Sequence, residues 1–231
     1  MNEIKTIYKK LFDMYGPQGW WPLLEYSGTN PTKTGSLTGY HPGNYELPET
    51  QNQIFEICLG AILTQSISWV GAEKALFNLK KLNALTPDKL TKLDKRELAQ
   101  TIKPAGYFNQ KAKKLRQFTK FFLQLEVKPT RKQLLSIWGV GEETADSMLL
   151  YAFKVPTFVV DAYTRRIFAN LGFIDRDASY SKVKKLFEDN LEPDLIVSQE
   201  YHALIVEHAK RYYKGRKKKY DCPLKQLFVK D

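Results

Sequence analysis

Residues 137–153 read IWGVGEETADSMLLYAF. Two glycines within three residues let the main chain turn tightly and approach a ligand closely. Helical stretches flank this turn at 131–137 and 142–153, and Thr130 is placed to cap the first. Trp138-Gly139-Val140-Gly141 is therefore a hairpin between two helices. Amides at the start of the second helix would face an anion, helped by the helix dipole. Yet Glu142 and Glu143 follow at once, in a chain of formal net charge +11. Acids in a first helical turn also suit the dipole, so the pair admits a local reading beside a functional one.

Outward from the hairpin, helical spacing dominates. Ile54, Ile57, Cys58, Ala61 and Ile62 recur at three- and four-residue intervals, as do Leu115, Phe118, Phe121, Phe122 and Leu125. Further helices are predicted over 69–82, 88–93, 95–103, 162–171, 179–190 and 196–213, and another from 110 with Asn109 as its cap. Thr86-Pro87-Asp88, Pro104-Ala105-Gly106, Pro129-Thr130 and Pro156-Thr157 separate them. Strand signals are weak, so the expected fold is all-α. Residues 26–50, rich in Gly, Pro, Thr and Asn, lack helical periodicity and read as a long surface loop. Tyr26, Tyr40, His41 and Tyr45 are its candidate anchors. The loop is either a tolerated insertion or a DNA contact or lid.

The basic charge favours an anionic partner, nucleic acid first among them, over a surface of scattered solvated lysines. No apolar run approaches the ~18 residues of a membrane span. The N-terminus, MNEIKTIYKKLFDMYG, reads as an amphipathic helix rather than a secretory signal. Two cysteines, Cys58 and Cys222, make no disulfide framework, so a reducing cytoplasm is expected, with nucleoid association in a bacterium.

Twenty residues past Gly141 comes Asp161, within PTFVVDAYTRRIF and ahead of Arg165 and Arg166. An acid there is a helix N-cap, a reacting group, or both. Four segments in order, FEICLGAILTQ, PAGYFNQKAKKL, GVGEETA and VVDAYTRRIF, make residues 54–169 resemble the helix-hairpin-helix DNA glycosylases of the endonuclease III superfamily. The resemblance implies two helical lobes with an active-site cleft between them. A central lobe at 52–155 would end in the hairpin, residues 1–25 and 156–231 would form the second, and 26–51 would be an inserted loop. It makes Asp161 the catalytic acid residue, a fixed carboxylate that stabilises the positive charge left on the sugar as the C1′–N bond breaks. The carboxylate would also help position or deprotonate the attacking water.

Lyase-competent members of that family carry a lysine where this chain has Glu143. A carboxylate cannot form an imine, so the resemblance implies a monofunctional glycosylase that leaves an abasic site. Glu143 itself either suits the dipole or lines the base pocket, holding a charged base or a water. Trp20-Trp21-Pro22, with Phe55-Glu56 and Ile62-Leu63-Thr64-Gln65, is similar to the 3-methyladenine glycosylase branch. It implies a pocket of Trp20, Trp21, Pro22 and Phe55 for a flipped, positively charged alkylpurine. Lys210 matches a lysine of that branch at the pocket rim. Gln65 would fill the gap left by the flipped nucleotide. Tyr107, Phe108 and Asn109 would wedge beside the lesion, while Lys111, Lys113 and Lys114 screen phosphates. Gly139, Val140, Gly141, Thr144 and Arg165 complete the expected DNA contacts, with the hairpin as the place for a monovalent cation.

Many endonuclease III relatives end in a four-cysteine iron–sulfur loop. Counting from Cys222 as third ligand puts Tyr212, Lys219 and Phe228 at the other positions, and one thiolate cannot hold the cluster. No iron–sulfur cofactor or metal is expected, with aromatic packing by Tyr212 and Phe228 in its place. The basic run 214–219 reads as a DNA-facing tail or a solubility feature. His202 and His208 have no ligand partners at metal spacing and read as solvated or core residues. The expected protein is thus a monomeric DNA glycosylase acting on duplexes with an alkylated purine such as 3-methyladenine. The alternatives are a glycosylase for a deaminated or oxidised base, and a non-catalytic DNA-binding module.

Overall fold

The computed structural model describes residues 2–33, 38–213 and 222–228, with the side chain of Phe228 excepted. The basic run 214–219, and with it Lys219, lies outside the described residues. Among the described residues eleven α-helices follow in chain order: α1 (Glu3–Tyr15), α2 (Gln51–Leu63), α3 (Trp69–Lys81), α4 (Pro87–Leu90), α5 (Lys95–Thr101) and α6 (Phe108–Phe122). Then come α7 (Arg131–Leu135), α8 (Glu142–Ser147), α9 (Ala162–Asn170), α10 (Tyr180–Glu188) and α11 (Leu195–Tyr212). Among the described residues there is no strand, only an isolated bridge between Thr29 and Thr38. The fold is all-α, and no described helix is long and apolar enough to cross a membrane.

Local chemistry sets the helix starts. Thr50 and Thr130 each form a reciprocal capping box, with Gln53 and Gln133, so two orphan amide donors are satisfied at α2 and α7. Asp94, Ser179 and Asp194 cap α5, α10 and α11 through their side chains. The helix after Gly106 starts at Phe108 rather than 110. Its cap is Tyr107 in the left-handed region (φ 43°), without a side-chain cap bond, so Asn109 is not the cap. The stretch after the hairpin is α-helical only to Ser147 and then widens into a π turn, Met148–Ala152. Such wide turns often mark functional sites.

Two apolar cores result. The first surrounds α2 and takes in α3, α5, α6 and the π turn; the second joins α1, α9, α10 and α11 around Phe158, Phe168, Phe187 and Tyr201. Residues 1–25 do not travel together: Ile4, Ile7 and Leu11 join the second core, Trp21 and Leu23 the first. Asp146, fully buried on α8, ties the elements together. It receives Arg131 Nε at 2.8 Å and Nη2 at 3.1 Å, the Tyr180 hydroxyl at 2.8 Å, and Lys184 Nζ at 3.3 Å. A buried carboxylate satisfied on both oxygens fixes the direction in which α8 points.

The described part of the 26–50 stretch, 26–33 and 38–50, is anchored rather than loose. His41, 4% exposed, bonds the carbonyls of Asn44 and Trp21 through its two ring nitrogens, each at 2.9 Å. Tyr40 is buried, the Tyr45 hydroxyl donates to Glu200 at 3.1 Å, and the half-exposed Tyr26 ring leans on His41. A backbone bond from Leu23 N to Gly39 O at 2.9 Å completes the clamp on the tryptophan segment.

Candidate active site

A cleft of about 1280 Å³ opens between the two cores. Trp20, Gln65, the hairpin, Glu143, Asp161 and His202 are among its walls. The tryptophan segment is pinned at both ends by carboxylates from opposite cores. Glu200 of α11 accepts the Gln18 amide at 2.7 Å, and Glu56 of α2 accepts the Leu24 amide at 2.7 Å. Burial pushes the Glu56 carboxyl up to about 7. Gly60 leaves the room that Trp21 needs, since a Cβ there would lie 3.0 Å from the indole nitrogen. Trp20, Trp21 and Pro22 line the cleft.

Phe55 does not. It is fully buried, 5.1 Å from Phe122 and stacked on Phe118, because α2 turns that face into the first core and gives the Glu56 face to the tryptophan segment. Tyr40, Trp69 and Tyr180 line the cleft instead, all brought in from distant segments.

Asp161 is the N-cap of α9. Its Oδ1 accepts the Thr164 amide at 2.7 Å and the Thr164 hydroxyl at 2.8 Å. Its side chain is only 13% exposed, and Oδ2 lies 3.7 Å from His202 Nε2. That gap suits an ion pair when the ring is charged but is too long for a direct hydrogen bond. Burial pushes the Asp161 carboxyl up, yet His202 and the two Thr164 donors outweigh it and hold it below the usual carboxylate range.

Glu143 behaves oppositely. Its side chain opens to the cleft, so water reaches it, but the surrounding walls displace bulk solvent and Asp161 faces it as a like charge. These two effects, against weaker help from His202 and Arg165, raise it to about 7.

The hairpin residues divide between structure and surface. Gly139 sits at φ +86°, and a Cβ would meet the Lys114 chain at 2.6–2.8 Å. Gly141 opens on free space, with nothing within 4 Å of an added Cβ. Val140 turns its side chain into the first core and its amide onto Ile137 O at 3.0 Å. Thr144 is buried and accepts Gln65 Nε2 at 2.9 Å; the same nitrogen donates to Gly139 O at 3.0 Å. With Lys114 donating to its Oε1, Gln65 has its whole amide engaged with the hairpin and α6.

Lys111 is 2% exposed and donates to the Leu63 and Ala105 carbonyls at 2.7 Å each, so it braces the end of α2 and cannot screen a phosphate. Burial lowers its pKa to about 8. Tyr107, 68% exposed, and Asn109 stand on the surface, Phe108 packs on the first core, and Lys113 caps the exposed Trp138 ring at 4.1 Å. Arg165 lines the cleft while donating to the Ala178 carbonyl. Lys210 also lines it, its Nζ 5.9 Å from the Trp20 ring, with burial lowering its pKa against the pull of Glu207.

His202, read from sequence as solvated or core, proves to be part of the site. Its partners are Asp161 and Tyr151, 41 and 51 residues away in the chain, and only the cleft brings them together. No spacing in the sequence singles it out, since the buried stretch of α11 around it also holds Gln199, Glu200, Glu207 and His208.

At the far end of α11, His208 bonds the Tyr15 hydroxyl at 2.9 Å and Cys222 Sγ at 3.2 Å, and Tyr212 stacks on it at 4.7 Å. An iron–sulfur cluster does not fit here. The chain has two cysteines, Cys58 lies buried in α2 of the other core, and a tyrosine stands at a ligand position. Among the described residues no group of three or more His, Cys, Asp or Glu could hold a metal ion.

A family model described as HhH-GPD superfamily base excision DNA repair protein matches residues 59–193, which span the hairpin and Asp161. The chain belongs to this superfamily and is a DNA glycosylase of base excision repair. A putative DNA repair glycosylase of Methanocaldococcus jannaschii is 41% identical, over 97% of this chain and 94% of the relative. Endonuclease III of Sulfolobus acidocaldarius is 27% identical, over 75% of this chain and 80% of its own. Among solved structures, the H. pylori 3-methyladenine DNA glycosylase bound to 1,N6-ethenoadenine shares the fold at TM-score 0.69 and 24% identity, over 91% of this chain and 98% of that one. A non-covalent endonuclease III–DNA complex shares it at TM-score 0.73 and 21% identity, over 97% and 93%.

Proposed function

We propose that the protein is a monofunctional DNA glycosylase that flips an alkylated purine such as 3-methyladenine out of duplex DNA and removes it with water. The observation that carries this reading is the pairing of Glu143 and Asp161 in one cleft beside the Trp20 indole. At the position where lyase-competent relatives place a nucleophilic amine, this cleft has a carboxyl. An electron-rich ring and a held carboxylate suit a cationic base, whose glycosidic bond is already weakened. The same carboxylate stabilises the positive charge on the sugar as that bond breaks. Exposed Gly141, Trp138, Lys113 and Tyr107 offer the surface for the DNA backbone, and the protein acts as a monomer.

Duplexes carrying single defined lesions, and dimethyl-sulfate-treated DNA, test this directly. Methylated purine is expected in the supernatant, with strand breaks appearing only after alkali. Release of a different damaged base would replace the substrate, and breaks without alkali would overturn the monofunctional reading.

A second reading rests on Lys210, whose half-buried amine lines the cleft with a lowered pKa. Such an amine is suited to attack the sugar. Borohydride trapping that disappears in Lys210→Ala would favour it.

A further inference from the structure

The stretch between the tryptophan segment and α2 is sewn to that segment at every second residue. Gly19 O accepts the His41 amide at 3.1 Å, His41 Nε2 bonds Trp21 O at 2.9 Å, and the Leu23 amide donates to Gly39 O at 2.9 Å. The two runs lie so close that a Cβ on Gly19 would come within 2.2 Å of the Pro42 nitrogen. On its other side the same stretch follows α11. Tyr45 donates to Glu200 at 3.1 Å, and the Thr32 carbonyl accepts Arg211 Nη2 at 3.2 Å. Those two anchors stand roughly 16 Å apart along the helix. Fastened on both sides, the described part of 26–50 is a fixed wall and not a lid.

Of its described residues, Tyr40 is the one that lines the cleft. Its amide donates to Gly28 O at 3.0 Å, and a Cβ on Gly28 would collide with the Tyr40 carbonyl. Burial pushes its hydroxyl up to about 12; a hydrogen bond with the Asn30 side chain pulls the other way, and Glu73 of α3 and Glu207 of α11 add to the rise. Those carboxylates stand on helices of opposite cores, so the tip of the ring lies in the seam between them. Glu207 precedes Lys210 by one helical turn, which puts Tyr40 at the Lys210 end of the cleft.

The base has one way to lie in this space. His202, Val206, Ala209 and Lys210 line the cleft at helical spacing, so one face of α11 is its floor. His202 stands beside Asp161, and Lys210 is roughly 12 Å further along the helix. The Trp20 ring meets both, 5.7 Å from the His202 ring and 5.9 Å from Lys210 Nζ. A sugar held against Asp161 therefore sends its base along Trp20 toward Lys210 and Tyr40.

We infer that Tyr40 closes the far end of the base pocket and limits the size of base the enzyme accepts, so that the 26–50 stretch is a specificity element. Only 2% of the residue is exposed, so it acts as a stop: its ring fills volume into which the cleft would otherwise extend. A base that overfills the pocket meets a ring whose backbone is bonded in place and cannot yield cheaply. Truncating the ring would leave a space that the surroundings close only in part, and that space would be continuous with the cleft.

Resting on the reading that a flipped base enters this cleft, the assignment is tested by ratios of rates. Duplexes each carry one defined lesion, graded from methylated purines and hypoxanthine to the ring-extended 1,N6-ethenoadenine. Single-turnover excision is measured for the wild type, Tyr40→Phe, Tyr40→Leu and Tyr40→Ala. In Tyr40→Ala, excision of the largest base relative to the base that the wild type removes fastest should rise at least ~10-fold. Tyr40→Leu should move the ratio less in the same direction, and Tyr40→Phe, which keeps the ring, should hold it within about twofold. Tyr40→Leu carries the test if Tyr40→Ala does not fold. A purely structural role would slow every base alike. An unchanged ratio in a folded variant that still binds a tetrahydrofuran duplex therefore overturns the proposal, as does a wild type that removes the ring-extended base fastest. Should the fastest base not be an alkylated purine, the substrate reading fails while the ratio still decides the role of Tyr40.

Discussion

Asp161 and Glu143 are both acids at the start of a helix on the same cleft, and their surroundings treat them in opposite ways. Asp161 caps α9 and has two Thr164 donors on one oxygen and His202 opposite the other. Glu143 lies one residue inside α8, whose cap is Gly141, a residue with no side chain to offer. Both lose bulk water, which disfavours charge. The His202 ring and the Thr164 hydrogen bonds reverse that for Asp161, while Glu143 receives no comparable help and feels Asp161 as well. One carboxyl is held ionised and the other titrates near neutrality. Acid–base chemistry commonly divides in this way, through environment rather than residue type.

The largest effect is expected where the comparison is most lopsided. Asp161→Asn keeps a side-chain oxygen for Thr164, and Asn caps as well as Asp, so α9 should stay formed. What it loses is charge at the reacting sugar. Single-turnover excision should fall on the order of 10³-fold with DNA affinity preserved, as when one preorganised electrostatic contact is removed. Activity within tenfold of wild type would break the assignment of the two roles.

Glu143→Gln probes the other side with a smaller loss. Excision should drop about tenfold, the worth of one ~1.4 kcal/mol interaction. A drop as deep as that of Asp161→Asn would make the two acids equal partners.

Stability gives this comparison a sign. The folded pKa of Glu143 is raised to about 7 from 4.5, so ionising it costs the native state. That cost is absent below the unfolded value, grows as pH rises from 4.5 to 7, and is constant above. Glu143→Gln should therefore be more stable than wild type at pH 8, with the gap closing at pH 4.5. Because Glu143 is partly open to water, about 1 kcal/mol is the size to expect, a shift of ~2–4 °C in melting temperature. His208 adds a background that cancels between the two proteins. Burial and Arg211 lower it from 6.5 to about 4, so its contribution is full above 6.5 and is lost as pH falls toward 4. Glu143→Lys sharpens the point further: an amine in that position should yield a borohydride-trapped complex that the wild type does not.

Much of this was legible in the sequence, and for definite reasons. Helical periodicity and Pro-bounded gaps located the helices because burial and backbone caps are local. The hairpin was legible because glycines are required there, at Gly139 by a positive φ and a close Lys114. Asp161 was legible as a cap and as a family position. Side-chain direction was not. Phe55 and Lys111 share helices with Ala61 and Lys114 of the cleft wall, yet those helices rotate them into the first core. Gln65 was expected to fill the gap left by the flipped nucleotide, and its amide is held by three partners from the hairpin and α6. His202 was the larger omission. Its place in the site depends on Tyr151 and on a carboxylate from another helix, neither of which a spacing rule encodes.

The smallest effect belongs to the caps themselves. Gly141→Ser would give α8 the side-chain cap that α9 already has, at a residue with φ −94° and open space where the Cβ would go. Nothing in the protein resists it, so stability should rise by only a few tenths of a kcal/mol. If Gly141 is where the DNA backbone approaches, the added side chain will instead show up as weaker binding to any duplex, damaged or not. Equal affinity would mean that the hairpin's open side is not the docking face. The contrast between the two helix starts would then be one of electrostatics alone, with Asp161 capped and held ionised and Glu143 left to titrate.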